Sequence, residues 1–147
     1  MNEVIKRVCR IGDRASLTKT ITMQDVVSFA ELTMDDNGIH MDQELSKRGM
    51  FRRPVVHGVF VGSLISSVMG TKLPGHGTVL QEQSIQYLNP VYPGDVITAE
   101  VVLTAVDEHE KYYVATLEGI CRNQDQIEVV KATSRQLMLK RFFEVRK

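Results

Sequence analysis

Pro54-Val55-Val56-His57-Gly58-Val59-Phe60-Val61-Gly62-Ser63-Leu64-Ile65-Ser66-Ser67-Val68-Met69-Gly70 is the stretch whose reading decides the fold. From residue 59 to residue 69 only Gly62, Ser63, Ser66 and Ser67 interrupt the apolar run, and all four are small. A segment without a polar stripe predicts a buried helix rather than an amphipathic one. Its small residues admit a close neighbour, such as a sheet wrapped round it. Gly70 is the natural residue for the left-handed turn past a helix end. At the other end, Gly58 leaves free backbone N–H groups where the partial positive charge of a helix N-terminus favours an anion.

Upstream lies a second chemical piece, Asp35-Asp36-Asn37-Gly38-Ile39-His40. It offers a carboxylate and an imidazole five residues apart. A base, a proton carrier and an anion-stabilising helix end are the parts required for proton chemistry beside a carbonyl. Between the two pieces, Lys47, Arg48, Arg52 and Arg53 place four positive charges within seven residues. Such a run is either a solvated face or a partner for a phosphate-bearing ligand.

Further from the helix the reading is of sheet. Residues 1–12 are an ambiguous lead-in strand, and residues 15–21 a first strand with Ala15, Leu17 and Ile21 on one side, spoiled by Lys19. Thr22 caps a short amphipathic helix over 23–33, with Asp25 completing a capping box. Residues 44–48 form a helical turn. After the buried helix come four strands over 78–88, 96–106, 111–121 and 127–139, joined by short turns. In the first, Val79, Gln81, Gln83, Ile85 and Tyr87 are expected on one face. Phe142 and Phe143 fall in a tail. The predicted class is α+β, a curved antiparallel sheet around one long central helix. Such a sheet has open edges, which a second copy commonly covers.

The chain of 147 residues is expected to be one domain, 1–147. Its 18 basic and 18 acidic residues balance, which argues against nucleic acid as a partner. The longest apolar run is too short for a bilayer, which takes about 20 residues, and residues 1–12 carry scattered charge with no leader-like apolar core. Cys9 and Cys121 read as two reduced thiols of a cytoplasmic protein. The four histidines have no metal-ligand spacing, so no metal is expected.

Phe29-Ala30-Glu31-Leu32 followed by Asp35-Asp36-Asn37-Gly38-Ile39-His40-Met41-Asp42 resembles the signature of the MaoC-like (R)-specific enoyl-CoA hydratases and dehydratases. Val56-His57-Gly58-Val59 with Ser63-Leu64-Ile65-Ser66, and Pro90-Val91-Tyr92-Pro93-Gly94-Asp95, are similar to two further motifs of that family in the same order. The resemblance implies a hot-dog fold, a homodimer or an oligomer of dimers, and reversible hydration of a trans-2-enoyl thioester to the (3R)-hydroxyacyl thioester. It implies that Asp35 and His40 are the catalytic pair and that the Gly58 N–H meets the thioester oxygen. Two departures accompany it: Gly38 stands where the family usually has Pro, and Thr33-Met34 where a small residue and Gly usually stand.

Asn37 either orients His40 or caps the loop. His57 is read as fixing the loop at the edge of the binding site, and Asn37, His57, Arg52 and Arg53 complete the substrate-binding set. No bound cofactor is required, because the substrate carries its own CoA or phosphopantetheine. Within this reading the alternatives are a (3R)-hydroxyacyl-ACP dehydratase, a thioesterase of the same fold, or a non-catalytic acyl-thioester-binding subunit.

Overall fold

A computed structural model describes residues 5–147. A five-stranded antiparallel sheet wraps one face of a 14-residue helix, with strand order β2-β4-β5-β6-β3. The strands are β2 (Arg14–Thr20), β3 (Val79–Tyr87), β4 (Val96–Glu108), β5 (Tyr112–Arg122) and β6 (Glu128–Leu139). The helix is α4 (Gly58–Thr71). This is the expected hot-dog layout. Alternation along β4 and β5 buries Ile97, Ala99, Val101 and Leu103 with Ala115 and Leu117 against Ile65, Val68 and Met69 of α4. At Gly119 a Cβ would lie 2.6 Å from Ile65 Cγ2, so a glycine is what lets strand and helix close up.

α4 departs from the sequence reading in two respects. Gly70 lies inside it, because the helix runs on to Thr71 and is closed by the N–H of Lys72 on the Val68 carbonyl. The helix is also not buried all round: Val59, Ser63 and Ser67 form an exposed stripe at a spacing of four. α1 (Met23–Thr33) has its cap as expected, with Thr22 Oγ1 accepting from the Asp25 N–H at 3.0 Å and Asp25 accepting from the Thr22 N–H at 2.9 Å. Lys19, the residue that broke the pattern of β2, reaches Asp25 at 3.3 Å.

Two other expectations are corrected. In β3 the register shifts between Leu80 and Glu82, so Gln81 is a bulge that resets the alternation. Leu80, not Val79, then shares a side with Gln83, Ile85 and Tyr87. The supposed tail is β7 (Phe143–Arg146), paired in parallel with β1 (Arg7–Arg10). The lead-in strand is thus real over its second half, and its first four residues lie outside those described. Between α1 and α4 the chain makes two short helices, α2 (Gly38–Met41) and α3 (Gln43–Arg48), of which only the second was expected.

Candidate active site

The site is built where α1 stops, α2 starts and α4 begins. Met34 closes α1 in a left-handed conformation, φ 63°, and the chain turns outward to leave Asp35 exposed. The Asp35 carboxylate accepts from the Asn37 N–H at 3.4 Å, and the Asn37 carbonyl oxygen Oδ1 accepts from the Ile39 N–H at 3.2 Å. Asn37 is therefore the cap of α2, which settles between its two readings. Asp36 is exposed and stands apart.

His40 sits on α2, and 8% of its surface is exposed. Its Nδ1 lies 2.6 Å from the Val55 carbonyl oxygen. A carbonyl only accepts, so Nδ1 carries the hydrogen and Nε2 keeps its lone pair. The Val55 N–H in turn donates to the Ile39 carbonyl at 3.0 Å, so the ring is held by a doubly bonded segment. Burial is the main influence lowering the proton affinity of His40. The Val55 carbonyl raises it, His57 lowers it further and Asp35 raises it; the net shift is downward from 6.5.

His57 is the residue before α4 and is 2% exposed. Its Nε2–H donates to the Asp35 backbone carbonyl at 2.8 Å, and its ring stacks on His40 with centroids 3.8 Å apart. It lies behind the site rather than on its wall. The sequence reading counted it among substrate-binding groups while reading it as fixing the loop; it is not among the residues that line the cleft shared by Gly58 and His40.

Gly58 opens α4, so its N–H has no acceptor within the helix. A Cβ there would lie 2.7 Å from Tyr87 Cδ1, so the glycine is what admits the Tyr87 ring against the helix start. Gly58 and His40 line one cleft of about 590 Å³. Its walls are mainly apolar, with Val61, Tyr87, Val91 and Val130 among them, as suits an acyl group beside a few polar atoms.

Arg52 and Arg53 are not on that wall; the adjoining Met50 and Phe51 are. Arg52 is exposed in a left-handed conformation, φ 66°, and the Arg53 guanidinium stacks 4.0 Å over the Tyr92 ring. Both stand beside the cleft mouth. A second depression, about 490 Å³, lies around Ile120 on the sheet face away from α4, where Arg14 pairs with Glu100 at 3.1 Å.

Asp35, His40 and His57 each offer a ligand atom, all within 4.8 Å of one another. Linear spacing gave Asp35 and His40 but no hint that His57 joins them. A cluster of this size has room for a water: two partners at about 2.8 Å, a tetrahedral angle apart, are about 4.6 Å from each other. The arrangement can hold a water between a carboxylate and a bare imidazole nitrogen, beside an N–H positioned to take up negative charge.

Known proteins share these motifs and this fold. The family model described as the MaoC like domain matches residues 11–123. The (R)-specific enoyl-CoA hydratase of Aeromonas caviae is 39% identical over 107 residues, 73% of this chain and 78% of that protein. The 3-hydroxybutyryl-CoA dehydratase of Methylorubrum extorquens is 40% identical over 118 residues, 80% of this chain and 73% of that protein. The solved (R)-hydratase from A. caviae involved in PHA biosynthesis superposes with a TM-score of 0.80 at 35% identity, covering 88% of this chain and 96% of that one. With the motifs in order, the fold in common and the model matched over most of its length, the chain belongs to the family of MaoC-like domains.

Proposed function

We propose that the protein is a hydro-lyase that reversibly adds water to trans-2-enoyl-CoA, giving (3R)-hydroxyacyl-CoA. The observation that carries the reading is His40, whose Nδ1 is tied to the Val55 carbonyl so that Nε2 keeps its lone pair, in a cleft that also presents Gly58 at a helix N-terminus, with an Asp35 carboxylate oxygen within 4.8 Å of one of its ring nitrogens. The names of the two relatives support the substrate class and the CoA carrier.

In the hydration direction, Asp35 takes a proton from a water whose other hydrogen is held by His40 Nε2. The water oxygen bonds to Cβ as the Cα=Cβ electron pair moves toward the thioester oxygen. The Gly58 N–H and the start of α4 hold that charge. The proton taken by Asp35 then passes to Cα, so water is added and the enzyme is unchanged. No step calls for a resident cofactor, since CoA enters and leaves with the substrate. Arg52, exposed next to the wall residue Phe51, is assigned the carrier phosphate, while Arg53 is engaged with the Tyr92 ring.

The working unit is a homodimer. β3 is an edge strand, and Leu80, Tyr87 and Leu88 along it are exposed together with Val59 on α4. A second copy pairing there would cover them. No helix among the described residues is long and apolar enough to cross a membrane, and both cysteines are free and buried; a cytoplasmic setting fits them. Sedimentation at micromolar concentration is expected to give twice the chain mass, and a monomer there would refute the dimer.

The activity is tested with crotonyl-CoA, following loss of the enoyl-thioester absorbance and the configuration of the product. Turnover to the (3R)-hydroxy product, falling about 10²–10⁴-fold in Asp35→Asn and in His40→Ala, is expected. Release of free CoA without hydration would make the protein a thioesterase instead.

A further inference from the structure

His57 takes no part in the steps above, yet it touches each group that does. It donates to the Asp35 carbonyl at 2.8 Å, and it stacks on His40 at 3.8 Å with 26° between the rings. It also packs on Phe29 of α1 at 4.8 Å and is the cap residue from which the Gly58 N–H leaves. Its Nδ1 is buried without a hydrogen-bond partner among the described residues.

That last fact separates this side chain from a stabilising one. With Nε2–H given to a carbonyl, Nδ1 is an acceptor that no described protein group meets, a cost that a side chain placed for stability would avoid. The position is also a helix N-cap, where Ser, Thr, Asp or Asn would bond an early N–H and His57 bonds none. Two local preferences are therefore overridden. What a histidine supplies here, and those residues do not, is a donor and a flat ring on one side chain. The donor reaches the backbone of one reactive residue and the ring lies on the face of the other.

We propose that His57 is the positioning residue of the Asp35–His40 pair, its ring N–H fixing the Asp35 backbone and its face fixing the His40 imidazole. The base and the imidazole come from different elements, the end of α1 and the middle of α2. Without a common support their separation would vary with the intervening turn. His57 gives them that support and ties both to the start of α4, so that the groups acting on Cβ and on the thioester oxygen keep one geometry.

The kinetic part of the test rests on the hydratase reading; the spectroscopic part does not. His57→Gln keeps a donor near the place of Nε2 and loses the ring. His57→Phe keeps a ring and loses the donor, and His57→Ala loses both. With crotonyl-CoA, His57→Ala is expected to lose about 10²-fold in kcat per folded molecule, since a small misplacement has that effect. KM should move less than about threefold, and the Gln and Phe variants should each recover part of the loss.

In parallel, the ring nitrogens of His40 are followed by magnetic resonance across pH. Asp35, His57 and the Val55 carbonyl are the groups that act on that ring. In His57→Ala its titration midpoint is expected to rise toward 6.5 and its Nδ1–H signal to broaden. The proposal is overturned if His57→Ala loses activity only in proportion to its unfolded fraction, or if the whole loss lies in KM. It is equally overturned if the His40 signals and midpoint match the wild type. A wild type inactive on enoyl thioesters would remove the hydratase reading, and the His40 signals would then decide the role of His57.

Discussion

At the side chain of His40, the bond from Nδ1 to the Val55 carbonyl determines which nitrogen can meet a substrate. It leaves Nε2 bare only while the ring is neutral. Burial, helped by His57, lowers the ring's proton affinity below its ordinary 6.5, so the neutral form survives to lower pH. The acid limb of kcat/KM that belongs to His40 is therefore expected below pH 6.5, read from a pH–rate profile. A limb above 6.5 would show that the ring is more exposed than this. Gly58 makes a second prediction. A methyl group there would meet the Tyr87 ring, so Gly58→Ala should displace the donor and lower kcat by about 10²-fold or more. Gly58→Ala combined with Tyr87→Ala should recover part of that loss. The pair Asp35 and His40 was legible from residue type and spacing together with the resemblance to the family's signature, and the structure brings the two side chains together. The position of His57 was not, since its partner is a backbone carbonyl 22 residues away, and a backbone group leaves no mark in the sequence.

Among the elements, α1 was readable to its ends because its cap is local: Thr22 and Asp25 bond each other's backbone. Thr22→Ala should cost about 1 kcal/mol in denaturant unfolding, with the slope unchanged. Gly38, the departure from the family's usual Pro, is explained one element later. A Cβ at Gly38 would meet the Leu45 Cδ2 of α3, the end of an exposed side chain, so a proline there requires Leu45 to turn aside. Leu45→Ala should therefore make Gly38→Pro tolerable, although Gly38→Pro alone is expected to lower the melting temperature. The strand β3 was found but its facing was misread, because a bulge at Gln81 depends on how β6 pairs with it. Gly70 was misplaced for a similar reason. Glycine permits a helix to end, but tertiary packing decides whether it does, and here the following turn carries on to Lys72.

Across the whole molecule, the pairing of β1 with β7 joins residues more than 130 positions apart. Four-residue strands carry too little alternation to be recognised in a sequence, which is why the last of them read as a tail. Phe143, fully buried in β7, ties this pair to the core, and Phe143→Ala is expected to cost about 3–5 kcal/mol. Burial also raises the Cys121 thiol from 9.0 to about 12. The unfolded chain ionises this thiol near 9 while the folded one keeps its proton. Its contribution to stability is thus present below pH 9 and is lost as pH rises from there toward 12. Replacing Cys121 with Ala should flatten that alkaline decline in a series of unfolding curves.

The central claim is that one water is held jointly by Asp35 and His40. Its most direct measurement is a double-mutant cycle in kcat/KM for crotonyl-CoA hydration, using Asp35→Asn, His40→Ala and the double variant. Groups that act on one water fail together, so the double variant is expected to lose little more than the worse single variant. Losses that multiply would show that the two residues act in separate steps and would contradict the account.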